Sequence, residues 1–430
     1  VNLRSAYVAL GSSFSEFQLD GAVFDAGTEF DSSTGRYKFT DNQAGDVITL
    51  TPTAGAGSLY VEGDLIELIG EMVTQGFGTA GERLQADGTV SGEAGVSFVS
   101  QGDFRVRGVR QEEPDSLEFD GLFRSASDVT ITAERIYPVT LTDFELSVEG
   151  VDGSIEFISL TNDDPGAPLS IAGGLAINAD FIRQGSNVYA PLGSLEFNAA
   201  QYLELTETSL TSSSGFGVSA PFFTTQKSGV DLTIVTPDDG SSSLESNIIF
   251  VEALTEDGFD RLLPEQFVLL NGASIDVREG ARFDVRGGTG ARASEFVLGP
   301  GGSVDILLAD LDAGTGVDAN ASFAIIPGIS DFAPYDPILS SQAESVQGIQ
   351  VGDTLVLEEA AGDLPAGSYA ILPAKYALHG GYLVTPVDDS QDSYSGLNIS
   401  TADGSDVVVG RYGVAGTDIL SSRNQSFTIS

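Results

Sequence analysis

The sequence predicts an all-β fold of the β-solenoid type, in which short strands stack coil upon coil. Fifty-two glycines, with many Ser, Thr, Asp and Asn, separate short runs of Val, Ile, Leu and Phe, which is typical of short strands and tight turns. No window of ten or more residues has the 3.6-residue apolar periodicity of a helix. A third observation, a phrase that recurs after 20 residues, favours stacked coils.

The recurrent phrase lies between residues 173 and 199. Gly173-Gly174-Leu175-Ala176-Ile177-Asn178-Ala179 aligns with Gly193-Ser194-Leu195-Glu196-Phe197-Asn198-Ala199. Apolar and polar residues alternate in both copies, so each strand has one buried and one wet face. We therefore predict three stacked pairs: Leu175 with Leu195 and Ile177 with Phe197 in the core, and Asn178 with Asn198 at a corner, where amide side chains hydrogen-bond along the stack. The same alignment places Ile182 over Tyr202.

Three such phrases make one coil of roughly 20–23 residues, whose strands pair in parallel with the coils above and below. A coil cannot bury its own apolar face, so the unit of stability is the stack. An upstream copy, residues 128–133, aligns with residues 174–179 about two coils later, and Ile136 then matches Ile182. The alternative is a β-sandwich or a string of immunoglobulin-like modules, which require antiparallel hairpins. The same phrase recurs after 20 residues with every position aligned, which favours the solenoid.

Composition excludes several classes of function. The chain has 63 acidic and 19 basic side chains and a formal net charge of −44, which argues against binding of nucleic acid. The absence of cysteine excludes disulfides, thiolate metal sites and cysteine nucleophiles. No 18-residue apolar run occurs, so we predict that the chain does not span a membrane. Hydrophobic residues make up 41% of the chain, which is ample for a continuous core.

The motif content predicts no catalytic residues and no enzyme. His379 is the single histidine and stands in a turn-like context, and no nucleophile-elbow, phosphate-loop or H-E-x-x-H motif is present. A polysaccharide lyase or glycosidase remains an alternative, because it needs paired carboxylates on one face. The adjacent acidic pairs adjoin Gly, Pro or Ser, as turn residues do; they are Asp163-Asp164, Asp238-Asp239 and Asp388-Asp389.

No cofactor is predicted, with structural calcium as the one open candidate. Hard oxygen ligands are abundant, but neither the EF-hand spacing nor the glycine-aspartate nonapeptide occurs. The loose candidate sites are Asp25, Glu29 and Asp31, and Asp310 and Asp312. Arg278, Arg282 and Arg286 recur every four residues near Asp276 and Asp284, which puts them on one face of a strand. We expect them to form salt bridges within the stack; binding of a sugar or carboxylate is the alternative.

Several runs resemble filamentous-haemagglutinin-like exoproteins of the two-partner secretion type. The most specific is residues 364–386, and the similarity covers roughly residues 115–430; the other runs are residues 133–140, 168–174, 182–193, 323–337, 403–405 and 414–417. The resemblance implies a right-handed parallel β-helix. It also implies export through a dedicated outer-membrane secretion partner, an extracellular, cell surface-associated location, and an adhesive or matrix role.

We expect four regions along the chain. Residues 1–114 form irregular solenoid coils and residues 115–320 regular β-helix coils. Residues 321–395 form a proline-rich, non-repetitive module packed on the solenoid, because proline removes donors from the strand ladder. Residues 396–430 return to β-coil, and both ends look cut from a longer protein.

The expected function is a structural or adhesive rod of a large secreted bacterial surface protein. Its expected partners are a polysaccharide or a cell-surface receptor. The alternative is a self-assembling extracellular filament or sheath subunit, which would bind copies of itself.

Overall fold

The computed structural model describes twenty parts of the chain: residues 2–11, 28–31, 36–39, 59–74, 95–110, 119–161, 164–216, 221–224, 266–287, 292–295, 322–325, 349, 352–360, 364–374, 382–387, 399–400, 406–414, 417, 419–421 and 424–429. Every regular element in these parts is a β-strand, so the predicted all-β class is confirmed. Over the same ranges, no helix has the length and hydropathy needed to cross a bilayer.

The strands are short in the first third of the chain and longest near its middle. The first fifteen are β1 (Asn2–Arg4), β2 (Tyr7–Gly11), β3 (Thr28–Asp31), β4 (Arg36–Phe39), β5 (Leu59–Gly63), β6 (Leu65–Ile69), β7 (Glu71–Val73), β8 (Val96–Ser100), β9 (Asp103–Arg107), β10 (Val109–Arg110), β11 (Phe119–Ser125), β12 (Val129–Ala133), β13 (Arg135–Pro138), β14 (Thr142–Val148) and β15 (Ser154–Ser159). The next eight are β16 (Gly174–Gly185), β17 (Asn187–Tyr189), β18 (Ser194–Leu205), β19 (Leu210–Ser212), β20 (Pro221–Thr224), β21 (Phe267–Val277), β22 (Arg282–Asp284) and β23 (Arg292–Glu295). The last eight are β24 (Phe323–Ile325), β25 (Thr354–Leu357), β26 (Gly367–Ala370), β27 (Leu372–Pro373), β28 (Tyr382–Pro386), β29 (Ile399–Ser400), β30 (Asp406–Gly413) and β31 (Gln425–Ile429).

Most described strands between residues 2 and 284 form three columns of parallel neighbours; the exceptions are the antiparallel pair of β3 with β4, β10, which pairs antiparallel with β11, and β20, which pairs with β23. The first column runs β7, β11, β14 and then the first halves of β16, β18 and β21. The second runs β1, β5, β8, β12, β15 and then the second halves of β16, β18 and β21. The third runs β2, β6, β9, β13, β17, β19 and β22. The predicted parallel pairing is therefore present.

One hydrophobic core lies between the three columns. Each column contributes side chains that are fully buried, for example Leu146 from the first, Val61 from the second and Phe104 from the third. Phe98 lies 5.4 Å from Phe104 and 5.8 Å from Phe123, measured between ring centroids, so aromatic rings from different columns pack on one another. The core thus continues from strand to strand along the columns.

The register of β16 on β18 contains the three predicted pairs. Leu175 lies opposite Leu195, Ile177 opposite Phe197 and Asn178 opposite Asn198. After Ala199 the register shifts by one residue, because β18 holds an extra residue in a β-bulge. The predicted match of Ile182 with Tyr202 is therefore wrong: Ile182 lies opposite Leu203, and Tyr202 lies opposite Phe181.

The upstream copy also stacks differently from the sequence alignment. Val129 in β12 lies opposite Ile155, which lies opposite Ile182. Residues 128–133 therefore belong to the second column, whereas residues 174–178 belong to the first. The predicted match of Ile136 with Ile182 is likewise wrong, because Ile136 pairs with Val188 in the third column. Strands of different columns share the same alternation of apolar and polar residues. The sequence alignment therefore matched residues that belong to different columns.

The corner that leads into the first column repeats an unusual backbone conformation. Leu141, Ala172 and Leu192 have φ angles of 58°, 57° and 54°, in the left-handed region that costs a residue with a Cβ roughly 1–2 kcal/mol. Their amide groups donate to the next turn in the stack: Leu141 N to Ile171 O at 3.1 Å and Ala172 N to Pro191 O at 2.8 Å. Inter-turn hydrogen bonds therefore stabilise the strained corner.

The strands after residue 322 form a separate eight-stranded antiparallel sheet. It contains β24 to β31, and its core includes Phe323, Leu355, Val408 and Phe427. β30 pairs with β25 and β31 with β28, so strands on both sides of residue 395 share this sheet. The pairing differs from the expected return of residues 396–430 to coil, because these strands extend the antiparallel ladder.

Candidate functional site

A row of asparagine amides runs along the outer face of the first column. Asn178, Asn198 and Asn271 occupy equivalent positions on β16, β18 and β21. Asn198 Nδ2 donates to Asn178 Oδ1 at 3.0 Å, and Asn271 Nδ2 donates to Asn198 Oδ1 at 3.4 Å. Asn178 Nδ2 donates in turn to Glu145 Oε1 at 2.8 Å. We call these three asparagines the amide ladder; it extends the pair that the sequence predicts by one rung.

A shallow groove of about 440 Å³ lies beside two rungs of the amide ladder. Asn178 and Asn198 form its polar side, and Ala179 and Ala200 add small apolar surfaces. The opposite side is the turn at residues 148–151, whose Val151 is 79% exposed. The groove falls within the roughly 300–1,000 Å³ typical of ligand sites, but it is open along its length.

Hydrogen bonds to residues of three strands, β11, β16 and β18, hold this turn in place. The Asp152 amide donates to Asp180 Oδ2 at 2.7 Å, and Gln201 Nε2 donates to Asp152 Oδ1 at 2.9 Å. Arg124 Nε donates to Glu149 Oε1 at 2.6 Å. The carboxylates that surround the groove therefore already have partners, whereas each amide of Asn178 and Asn198 uses only part of its hydrogen-bonding capacity.

A second outer row, on the second column, alternates acidic and basic side chains. Arg183 bridges Glu156 at 2.7 Å and Glu204 at 3.2 Å. Arg278 continues the row with Glu204 at 2.8 Å and Asp276 at 3.1 Å. Arg278 thus forms the salt bridges that we expected of it. The row stabilises adjoining strands, because opposite charges directly across a pair of strands attract.

Buried charge lies on the outer face of the third column. Glu67 and Arg105 pair across β6 and β9, both side chains are 0% exposed, and Arg105 Nε lies 3.0 Å from Glu67 Oε1. Tyr7 also donates to Glu67 Oε2 at 2.6 Å. Burial raises the pKa of Glu67, but the charges of Arg105 and Arg107 and two hydrogen bonds outweigh it and lower the pKa below its usual value.

The same face continues with a second group around Asp103. Arg135 donates to its carboxylate through two bonds of 2.6 and 2.9 Å, and Tyr137 donates at 2.9 Å. Burial and the charge of Asp103 raise the pKa of Tyr137, so its hydroxyl keeps its proton. One coil further, Tyr189 donates to Asp164 Oδ1 at 2.7 Å. Each acid is paired, which is the arrangement of a structural network.

Sequence reasoning missed this buried network, although a signal was present. Glu67 stands in the apolar run Leu65-Ile66-Glu67-Leu68-Ile69, and Arg105 stands between Phe104 and Val106. A charge inside an apolar run indicates a buried partner of opposite sign. Strict alternation along a strand would instead place both side chains on a solvent-exposed face.

The predicted calcium and carboxylate candidates fall in different places. Glu29 and Asp31 lie on β3, opposite Lys38 and Arg36 of β4. Of the residues in the adjacent acidic pairs, only Asp164 lies in the part of the chain that the structure describes. The other candidates lie outside the described residues: Asp25, Asp310, Asp312, Asp163, Asp238, Asp239, Asp388, Asp389 and His379. In the described part of the chain, no group of three or more His, Asp or Glu side chains is arranged to hold a metal ion.

The remaining arginines of the four-residue series bind acids near the last coil. Arg286 donates to Asp284 at 2.6 and 2.9 Å, and its guanidinium lies 4.1 Å from the ring centroid of Phe216. The hydrogen bonds from Arg286 lower the pKa of Asp284 to about 2. Arg282 lies 4.0 Å from Asp164. The three arginines therefore contact four different acids, share none of them and do not converge on one site.

Function must be inferred from these surfaces and not from relatives. No protein-family model, no curated protein and no solved structure matches this chain.

Proposed function

We propose that this chain is a non-catalytic structural and adhesive segment, folded over its first two thirds as a right-handed parallel β-helix. Three parallel columns around one core support the helix. The right-handed sense follows from the strong preference of parallel strand crossovers for that hand. The register of β16 on β18, with Leu175 opposite Leu195, carries the proposal, because stacked coils bring residues 20 apart into parallel register over a whole strand.

Attachment follows from repetition of the outer surface. β16, β18 and β21 each add one rung to the amide ladder, and β15, β16, β18 and β21 carry the acidic and basic row, so weak contacts repeat over these neighbouring strands. Linked weak sites give an overall avidity that exceeds any single contact. The strongly negative charge of −44 favours an uncharged or cationic partner surface over an anionic one. The proposed partner is a surface polysaccharide or a cell-surface receptor, outside the cell, after export through an outer-membrane partner.

Shape and attachment can be measured together. Small-angle scattering and negative-stain imaging should give a thin rod, and the protein should be retained on polysaccharide-coated beads in physiological salt. A compact particle would contradict the helix, and loss of retention would contradict adhesion. Release of reducing ends or unsaturated products from the polysaccharide would contradict the non-catalytic assignment.

Self-association is a second candidate, favoured by the last strand of the columns. In the described part of the chain β21 pairs with β18 alone. Ile275, Val277 and Phe283 follow core positions of earlier coils, yet they are 43%, 47% and 44% exposed. An open strand edge with exposed apolar side chains is a template for pairing with another chain. Sedimentation over a range of concentrations should show growing polymers if this candidate is correct.

A further inference from the structure

The groove beside the amide ladder contains side chains that are suited to a ligand with hydroxyl groups. An asparagine amide carries two N–H donors and an oxygen with two lone pairs. Asn178 and Asn198 each use one donor and one lone pair within the ladder. Each amide therefore keeps a second donor and a second acceptor, side by side, on the wall of the groove.

The surrounding charges select against other ligands. An anionic ligand would face Glu149 and Asp180 as well as the overall charge of −44. A metal cation would need several converging oxygen ligands, but Arg124 already pairs with Glu149, one Asp180 oxygen accepts from the Asp152 amide, and the described residues contain no group of three or more His, Asp or Glu side chains arranged to hold a metal ion. A hydroxyl group both donates and accepts a hydrogen bond, which matches the unused N–H donor and the unused oxygen lone pair of each amide.

The spacing and the apolar surfaces favour an extended chain of such units. Equivalent side chains on neighbouring strands are separated by about 4.8 Å, so the two amides can contact hydroxyls on successive units of a polymer. The exposed Ala200 and Val151 offer small apolar contacts to the C–H face of a sugar ring. The open, shallow shape fits binding along a chain, not enclosure of a small molecule.

We infer that this groove is a binding site for an uncharged glycan, which contacts Asn178 and Asn198 through its hydroxyl groups. The inference rests on the proposed attachment function and names its ligand class. Affinity at one groove is low, because few hydrogen bonds form and no aromatic ring lines the groove.

The test uses soluble oligosaccharides and the whole chain. Neutral glucan, mannan and galactan hexasaccharides are titrated by ligand-observed NMR, beside hexagalacturonate as the acidic probe and spermine as the cationic probe. At least one neutral hexasaccharide should bind, it should bind more tightly than hexagalacturonate, and spermine should not displace it. Failure of all three neutral probes, tighter binding of hexagalacturonate, or displacement of the neutral probe by spermine overturns the assignment.

Two variants locate the site. Ala200→Arg places a long side chain in the groove from an exposed position, and Asn198→Leu removes the donor and acceptor while keeping the branched shape of the side chain. Each should weaken binding of the neutral probe at least about tenfold, the loss expected for one or two hydrogen bonds. The matched control is Ala6→Arg, at an exposed position between β1 and β2 that does not line the groove; it should change affinity less than about twofold.

If Ala200→Arg binds the neutral probe as tightly as the unmodified protein does, the ligand does not bind in this groove. This variant alone tests the position of the site if Asn198→Leu fails to fold. The proposed function is tested separately by rod shape and bead retention. If the unmodified protein is a rod and is retained on beads, but the Ala200→Arg variant still binds the hexasaccharide, only the assignment of this groove is rejected. A compact particle rejects the β-helix whatever the oligosaccharides do.

Discussion

Leu195 lies directly opposite Leu175 on the adjoining parallel strand, and the two side chains are 0% and 1% exposed. Their contact joins the neighbouring strands β16 and β18 through the core. Since the other strands of the columns also meet their neighbours through buried apolar side chains, the stability of the columns depends on contacts of this kind.

Truncation of one member should therefore destabilise the columns. We expect Leu195→Ala to lower the free energy of unfolding by about 3 kcal/mol, because it leaves a cavity in a close-packed core. The matched control is Leu269→Ala on β21, whose side chain is 42% exposed and faces outward; it should cost less than about 1 kcal/mol. Urea denaturation measures both, and equal losses would contradict the stacked core.

Gly193 should not tolerate a side chain. A Cβ at this position would overlap the carbonyl oxygen of Gly173 in the preceding coil, which is backbone and cannot move aside alone. We expect Gly193→Ala to cost about 2 kcal/mol or more. Gly287→Ala is the control, since a Cβ there meets no atom within 4 Å. Thermal unfolding distinguishes them, and an unaffected Gly193→Ala would show that the coils are farther apart.

The buried ion pair of Glu67 and Arg105 should depend on both partners. Glu67→Gln leaves the guanidinium buried without its counter-charge, so we expect a loss of about 3 kcal/mol at pH 7. Glu62→Gln, which breaks the exposed pair with Arg4, should cost less than about 1 kcal/mol. Comparable losses in the two variants would contradict the burial of Glu67.

The same carboxylate should contribute to acid sensitivity. The folded pKa of Glu67 lies below its ordinary value of 4.5, so its stabilisation is complete above that pH and is lost as the pH falls through the folded pKa. The difference in stability between the unmodified protein and Glu67→Gln should therefore shrink below pH 4.5. Denaturation midpoints between pH 7 and pH 3 test this prediction. A stability difference that grows in acid would contradict the lowered pKa of Glu67.

Arg183 should stabilise its row in a salt-dependent way. Arg183→Gln leaves Glu156 and Glu204 on neighbouring strands without the cation between them. We expect a loss of about 1 kcal/mol at low ionic strength and a smaller loss in 1 M NaCl, because salt screens charges near the surface. Arg4→Gln, whose side chain is 66% exposed, should have little effect at either salt concentration. A loss that is independent of salt would mean that Arg183 acts through packing.

Local pattern was sufficient for part of the architecture. Alternation within a strand and the 20-residue recurrence predicted the all-β class, the parallel pairing and the partners Leu175 with Leu195 and Asn178 with Asn198. These features depend on period-two geometry and on equal spacing, both of which are properties of short stretches of sequence.

Long-range contacts decided the rest. The bulge after Ala199 moved Tyr202 from Ile182 to Phe181, and no local pattern marks a single extra residue. Burial of Glu67 and Arg105 depends on which outer face becomes covered, and the groove depends on a turn from one coil lying beside amides from two others. The sequence by itself determined which residues form strands and which face of each strand is apolar. The tertiary structure alone decided which column each strand joins, because that choice is made by contacts between residues far apart in the chain.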